Sequence, residues 1–254
     1  MGRDFDTSFL KDAGHRPWKM PDSPWLMTQT WRDLLFAHWR IDPQLLRAKV
    51  PSQFPLDLFD GDAWIGVVPF RMTNVGPRGL RSLPGVSEFP ELNVRTYVRV
   101  GDKPGVYFFS LDAGNWLAVQ AARTVLNLPY YRAAMRVRPV AGAFAYESRR
   151  LGGAAEFAAT YEPDGDVFVP TAGSLESFLT ERYCLYNLDR RGVPYRLDIH
   201  HPRWSLQPAK AHLTRNTMTD VAGIALPDQL PLLLFASRQD AVAWAPRPLN
   251  HGRD

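Results

Sequence analysis

Residues 91–100, ELNVRTYVRV, alternate without interruption, and no other stretch of the chain constrains its fold as strongly. Leu92, Val94, Thr96, Val98 and Val100 fall on one side, and Glu91, Asn93, Arg95, Tyr97 and Arg99 on the other. A period of two is the mark of a β-strand with unlike faces. The first face can enter a core. The second is too charged for a dry interior, so it faces either water or a polar cavity. A GDKPG turn and the run VYFFSL follow, which completes a β-hairpin. DAGNWLAVQAARTVLNL then reads as a helix and PYYRAAMRVR as a further strand.

Turn chemistry repeats this arrangement along the chain. Asp60-Gly61 lies between LDLF and DAWIGVVPFRM, and a type I′ hairpin turn needs positive φ at both central positions. Gly152-Gly153 separates GAFAYESRR from AAEFAATY, and Arg191-Gly192 turns the chain into YRLDIHH. Asp42-Pro43 supplies an N-cap followed by proline at the first helical position, and Ser174 caps SLESFLTERY. Residues 73–90, rich in glycine and proline, read as a long loop. Residues 202–230 read as irregular, and PLLLFA and AVAWAP as two closing strands. Residues 1–24 read as a polar arm anchored by Trp18 and Trp25, and residues 25–254 as a single domain. Roughly ten or more short strands, a few short helices and no βαβ alternation predict a mainly β (α+β) fold. Its sheet is expected to be antiparallel and closed into a barrel or folded as a sandwich, with helices at the periphery.

Composition removes several function classes. The net charge of +4 is dispersed, with no basic run longer than two residues; nucleic-acid binders cluster their charge, so no nucleic-acid partner is expected. Cys184 is the single cysteine, which excludes an intrachain disulfide, and its aromatic neighbours suit a buried, inert thiol. The first residues have no apolar core, so no signal peptide is expected. No apolar run approaches the ~20 residues of a membrane helix, and a cytoplasmic setting is the default. GxGxxG, P-loop, HExxH and GxSxG patterns are missing from the sequence, so no cofactor is expected. His200 and His201 are adjacent in a strand and point to opposite faces, so no metal site is expected from them. What remains is a set of charged residues inside apolar strands: Arg32, His38, Arg71, Glu91, Arg95 and Arg182. Such charges must pair if buried, and sets of this kind mark polar cavities.

Six segments in order, QTWRDLLFAHWRIDPQLLRAKVP, LDLFDGDAWIGVVPFRM, FPELNVRTYV, KPGVYFFSLDA, AARTVLNLPYYRA and LTERYCLY, resemble the YqjF-like family of uncharacterised proteins, within the acetoacetate decarboxylase-like superfamily. The resemblance covers about residues 22 to 247. It implies a cone-like antiparallel closed barrel whose lumen holds the site. Arg32, eight residues before Arg40, matches the decarboxylase's active-site arginine. Glu91 matches its glutamate, and Arg123 the arginine of the segment that follows. The two lysine positions of that segment fall on Tyr130 and Tyr131, and tyrosine cannot form an imine. Lys11 and Lys19 lie in the arm, Lys49 ends a helix and Lys103 sits in a turn, which leaves Lys210 as the remaining lysine to place.

The reading that follows is a cofactor-free enzyme acting on a small carbonyl- or carboxylate-bearing molecule, with lyase or enolisation-type chemistry. Glu91 would be the acid or base, Tyr130 a hydrogen-bond donor to an oxyanion, and Arg32 or Arg95 the anion anchor. Tyr131, His38, Asn93 and Arg71 complete the expected binding set. The alternative is a non-catalytic barrel that binds a small molecule through Trp31, Trp39, Tyr97 and Phe109. A third is a structural or oligomer-forming module with a filled barrel. A homo-oligomer is left open.

Overall fold

The computed structural model describes residues 5–79, 87–121 and 127–249. Among these residues, twelve strands form one sheet. In chain order they are β1 (Met27–Ile41), β2 (Ala63–Pro77), β3 (Phe89–Val100), β4 (Lys103–Ala113), β5 (Tyr130–Val140), β6 (Ala143–Arg150), β7 (Glu156–Pro163), β8 (Cys184–Leu188), β9 (Pro194–His200), β10 (Gln207–Asn216), β11 (Leu232–Ala243) and β12 (Arg247–Pro248). Three short helices, α1 (Pro43–Arg47), α2 (Trp116–Ala121) and α3 (Leu175–Thr180), lie between strands. None is long and apolar enough to cross a membrane.

The sheet closes on itself twice. The order β12-β9-β8-β4-β3-β2-β1-β11-β10-β7-β6-β5 gains a β4–β5 pairing, which closes a nine-strand barrel. A β9–β11 pairing closes a smaller ring of β1, β2, β3, β4, β8, β9 and β11. Most neighbours are antiparallel, as expected; β4–β5 and β4–β8 are parallel, so the sheet is mixed. Both rings share the wall β11–β1–β2–β3–β4, which therefore has no solvent face. One side of it, Leu34, Phe36, Val68, Phe70 and Leu234, packs with Leu185 and Leu197 of β8 and β9. The other, Leu35, Ala37, Ile65, Val67 and Phe235, packs with Tyr146, Phe157 and Tyr161 of β6 and β7. Burial on both faces accounts for the unbroken apolar run Leu34–Ala37 in β1.

The local signals act as their chemistry requires. Asp42 accepts a hydrogen bond from Gln44 N, and Ser174 from Ser177 N. Asp60 and Gly61 both have positive φ, 50° and 86°. Three expectations are corrected. Residues 73–77 belong to β2 and residues 89–90 to β3, so the loop between them is shorter than its glycines and prolines suggested. Residues 207–216 are not irregular but form β10, whose inward positions Ala209, Ala211 and Leu213 offer a single large apolar side chain to announce a strand. The two closing strands are one, β11, because β1 holds its middle in the sheet, pairing Thr30 with Asp240, Trp31 with Gln239 and Arg32 with Arg238.

 The arm lies along β9: Arg16 Nη1 donates to Ile199 O at 2.5 Å and Trp18 Nε1 to Asp198 Oδ1 at 3.2 Å.

Candidate functional site

The polar face of β3 turns into the smaller ring. Glu91, Asn93 and Arg95 line a partly open cavity of about 90 Å³. Gln29, Trp31, Leu34 and Phe36 of β1, Val68 and Phe70 of β2, Tyr130 of β5 and Trp204 complete much of its wall. At ~30 Å³ of liquid volume per water, the space suits a ligand of a few heavy atoms.

Glu91 is 2% exposed, and Tyr130 donates its hydroxyl to Glu91 Oε2 at 2.9 Å. Burial pushes the Glu91 carboxyl up to about 8, against the Tyr130 hydrogen bond, which lowers it, and with Asp112, which raises it. The carboxyl therefore holds its proton at neutral pH. The Tyr130 hydroxyl is itself held well above its ordinary range by burial and then by Glu91. Behind them, Asp112 receives the Arg150 guanidinium through Nε at 3.0 Å and Nη2 at 2.5 Å. From the other side of the wall, Tyr146 donates to Glu91 O at 2.6 Å and fixes the backbone that carries the acid.

Arg95 stands at the other end of the same strand face. Its guanidinium lies over Phe36 and Tyr97, at 5.3 and 5.8 Å, and donates to Leu179 O at 3.2 Å. Among the described residues, no carboxylate comes within salt-bridge distance of it. Arg182, also on the cavity wall, is neutralised by Asp57 at 2.5 Å. His38 Nε2 and Tyr97 Oη are 2.6 Å apart, and Tyr97 donates onward to Leu179 O at 2.8 Å. That assigns the proton to His38 Nε2. Burial and then Arg95 hold its pKa well below the ordinary value, so the ring is neutral. Gly66 makes room for it, since a Cβ there would stand 2.8 Å from His38 Nε2.

The structure brings together Glu91, Tyr130, Asn93 and Arg95, with His38 behind Arg95. It does not bring Arg32, Arg71 or Tyr131 to the cavity. Asp33, at φ 53°, interrupts the alternation of β1. Trp31 and Leu34 consequently share the cavity side while Arg32 faces away, donating to Thr73 Oγ1 at 3.3 Å. Arg71 pairs with Asp33. Tyr131 points opposite to Tyr130, its ring 3.9 Å beneath the Arg150 guanidinium. Arg123 lies outside the described residues. Lys210 is exposed on β10 and pairs with Asp164 at 2.7 Å. Cys184 is buried, and burial pushes its thiol up to about 12, which makes it a poor nucleophile. Sequence reasoning did not find Trp204 or Gln29. Trp204 sits in an irregular segment with no periodicity, and Gln29 precedes the apolar run of β1.

This double ring is an acetoacetate decarboxylase-like fold. Acetoacetate decarboxylase from Legionella pneumophila superposes with a TM-score of 0.63 at 11% identity, over 98% of each chain. The enduracididine biosynthesis enzyme MppR, complexed with pyruvate, superposes with a TM-score of 0.62 at 13% identity, over 92% of this chain and 93% of that one. The chain belongs to the DUF2071 family of uncharacterized conserved proteins, whose pattern matches residues 28–240. Within that range of relatives, the uncharacterized protein YqjF of Bacillus subtilis (strain 168) is 48% identical over 226 residues, 89% of this chain and 93% of its own length.

Proposed function

We propose that the chain is an enzyme that moves a proton on a small carbonyl- or carboxylate-bearing molecule held in this cavity, without a cofactor and without a Schiff-base lysine. One observation carries the reading: a buried carboxyl poised at about 8 accepts a hydrogen bond from Tyr130 at 2.9 Å, on the strand face that also presents Arg95. Arg95 takes the substrate carboxylate, since a guanidinium donates in a planar fork. The ionised fraction of Glu91 takes the proton from the carbon beside the carbonyl, which leaves the enolate, and the carboxyl so formed returns a proton to that carbon within the turnover. Tyr130, whose single hydroxyl proton rests on Glu91 in the free site, turns it to the oxyanion. The likeness to proteins described as a decarboxylase of acetoacetate and as a complex with pyruvate supports a substrate of this size. The positions of the lysines support a route without an imine, because none of Lys11, Lys19, Lys49, Lys103 and Lys210 lines the cavity. A reducing, cytoplasmic setting fits a chain with one inert thiol.

The test is proton exchange at the carbon beside the carbonyl, followed by NMR in deuterated water with pyruvate and acetoacetate as probes. Glu91→Gln is expected to slow exchange by about 10²–10⁴-fold, and Tyr130→Phe by about 10²-fold. Exchange at the wild-type rate in both variants overturns the assignment. A second reading, binding without turnover, draws on the aromatic lining of Trp31, Phe36, Phe70 and Trp204. It predicts a probe that stabilises the protein and is recovered with all its protons in place.

A further inference from the structure

Three residues of the cavity wall carry buried polar atoms with no hydrogen-bond partner among the described residues: Asn93 Oδ1, Arg95 Nε and Trp204 Nε1. Asn93 is 5% exposed and Trp204 2%. A buried polar group left unpaired costs stability, and native structures keep few of them. All three residues line the same cavity.

Asn93 is the informative member. It stands between Glu91 and Arg95 on one face of β3, and alternate residues of a strand lie about 7 Å apart. A carboxylate held on Arg95 therefore brings the adjoining carbons beside Asn93, on the side toward Glu91. An amide offers both an acceptor and donors, and this remains true whichever way its oxygen and nitrogen are assigned. A hydroxyl both donates and accepts, so it can answer the amide. A keto oxygen only accepts, and a methylene does neither.

The geometry points to Asn93 as the residue that sets ligand specificity, and to a short hydroxycarboxylate as the ligand class. The carboxylate sits on Arg95 and the hydroxyl on the Asn93 amide. This rests on the cavity proposed above and narrows what it takes.

The experiment compares lactate, pyruvate and propionate, and then 3-hydroxybutyrate, acetoacetate and butyrate, by calorimetric titration of the whole chain. The hydroxy acid of at least one series is expected to bind about tenfold or more tighter than its oxo and unsubstituted partners. Asn93→Leu is expected to bring the three members of that series to within about threefold of one another, and Arg95→Met to weaken all three. In the wild-type protein the side-chain amide resonances of Asn93 should move on titration with the hydroxy acid and stay in place with the unsubstituted acid, a readout that needs no variant to fold. Oxo acids that bind as tightly as hydroxy acids, or unmoved Asn93 resonances, overturn the assignment to Asn93 while Arg95-dependent binding leaves the cavity reading standing. Acids whose binding is indifferent to Arg95→Met overturn both.

Discussion

Two compartments lie back to back across the wall β11–β1–β2–β3–β4, and they treat polar groups in opposite ways. In the nine-strand barrel, Tyr146 and Tyr161 donate their hydroxyls to carbonyls of the wall itself, Glu91 O at 2.6 Å and Asp33 O at 2.7 Å. The rest of that interior is an apolar cluster around Phe157, Phe235 and Leu92. In the smaller ring, Asn93, Arg95 and Trp204 keep polar atoms without partners, and Glu91 keeps a proton it would lose in water. The contrast is one of degree, since Ser148 Oγ on β6 is also unpartnered. It still shows a division of labour. One compartment fixes the wall, including the backbone under Glu91 and the bulge at Asp33, and the other holds unpartnered polar groups and a protonated carboxyl against that wall.

The sharpest way to break the comparison is to empty the packed side. Phe157 is 1% exposed and meets the Tyr146 ring edge-on at 6.0 Å. Phe157→Ala is expected to cost about 3–5 kcal/mol, read from urea denaturation. A loss below about 1 kcal/mol would mean that the site collapses without cost, and that this compartment does not brace the wall.

The same division explains what could be read from the sequence. Alternation placed Glu91, Asn93 and Arg95 on one face, but not on which side of water, because a strand walled on both faces by different compartments has no solvent face to recognise. Tyr130 was legible through its neighbour: two adjacent tyrosines in a strand must diverge, and the structure sends only the first inward. Arg32 was misplaced by a local event. The left-handed Asp33 shifts the phase of β1 by one residue, and aspartate in a strand gives little warning of it. Trp204 and Arg182 reach the cavity from segments remote from β3 in sequence, so no local pattern announces them.

The next prediction sharpens the contrast through pH. The Glu91 carboxyl has an ordinary value of 4.5 and is raised to about 8 in the folded chain. Between these values the folded state keeps a proton that the unfolded state has released, so this group's contribution makes stability fall as pH rises through the window. Above about 8 both states are ionised and the contribution levels off. The slope is at most about 1.4 kcal/mol per pH unit. Glu91→Gln, which cannot ionise, is expected to flatten the profile and to be most stabilising relative to wild type at the alkaline end. Parallel profiles from pH 5 to 9 would show that the carboxyl titrates as it does in water.

The smallest effect lies at the rim of the packed barrel. Ala141 and Gly142 turn β5 into β6 with φ of 49° and 90°. The left-handed region is open to glycine and costs alanine roughly 1 kcal/mol. Ala141→Gly relieves that cost but also gives the unfolded chain more freedom, which offsets about half of it. The expected net is therefore a gain of about 0.5 kcal/mol in stability with no change in proton exchange at the cavity. The second half of that outcome is the informative one. The turn joins two strands of the packed compartment and touches neither Glu91 nor Arg95, so a change in exchange rate there would mean that the barrel rim is mechanically coupled to the site through β5, which begins at Tyr130. Without such coupling, the packed compartment supports the cavity through the wall alone.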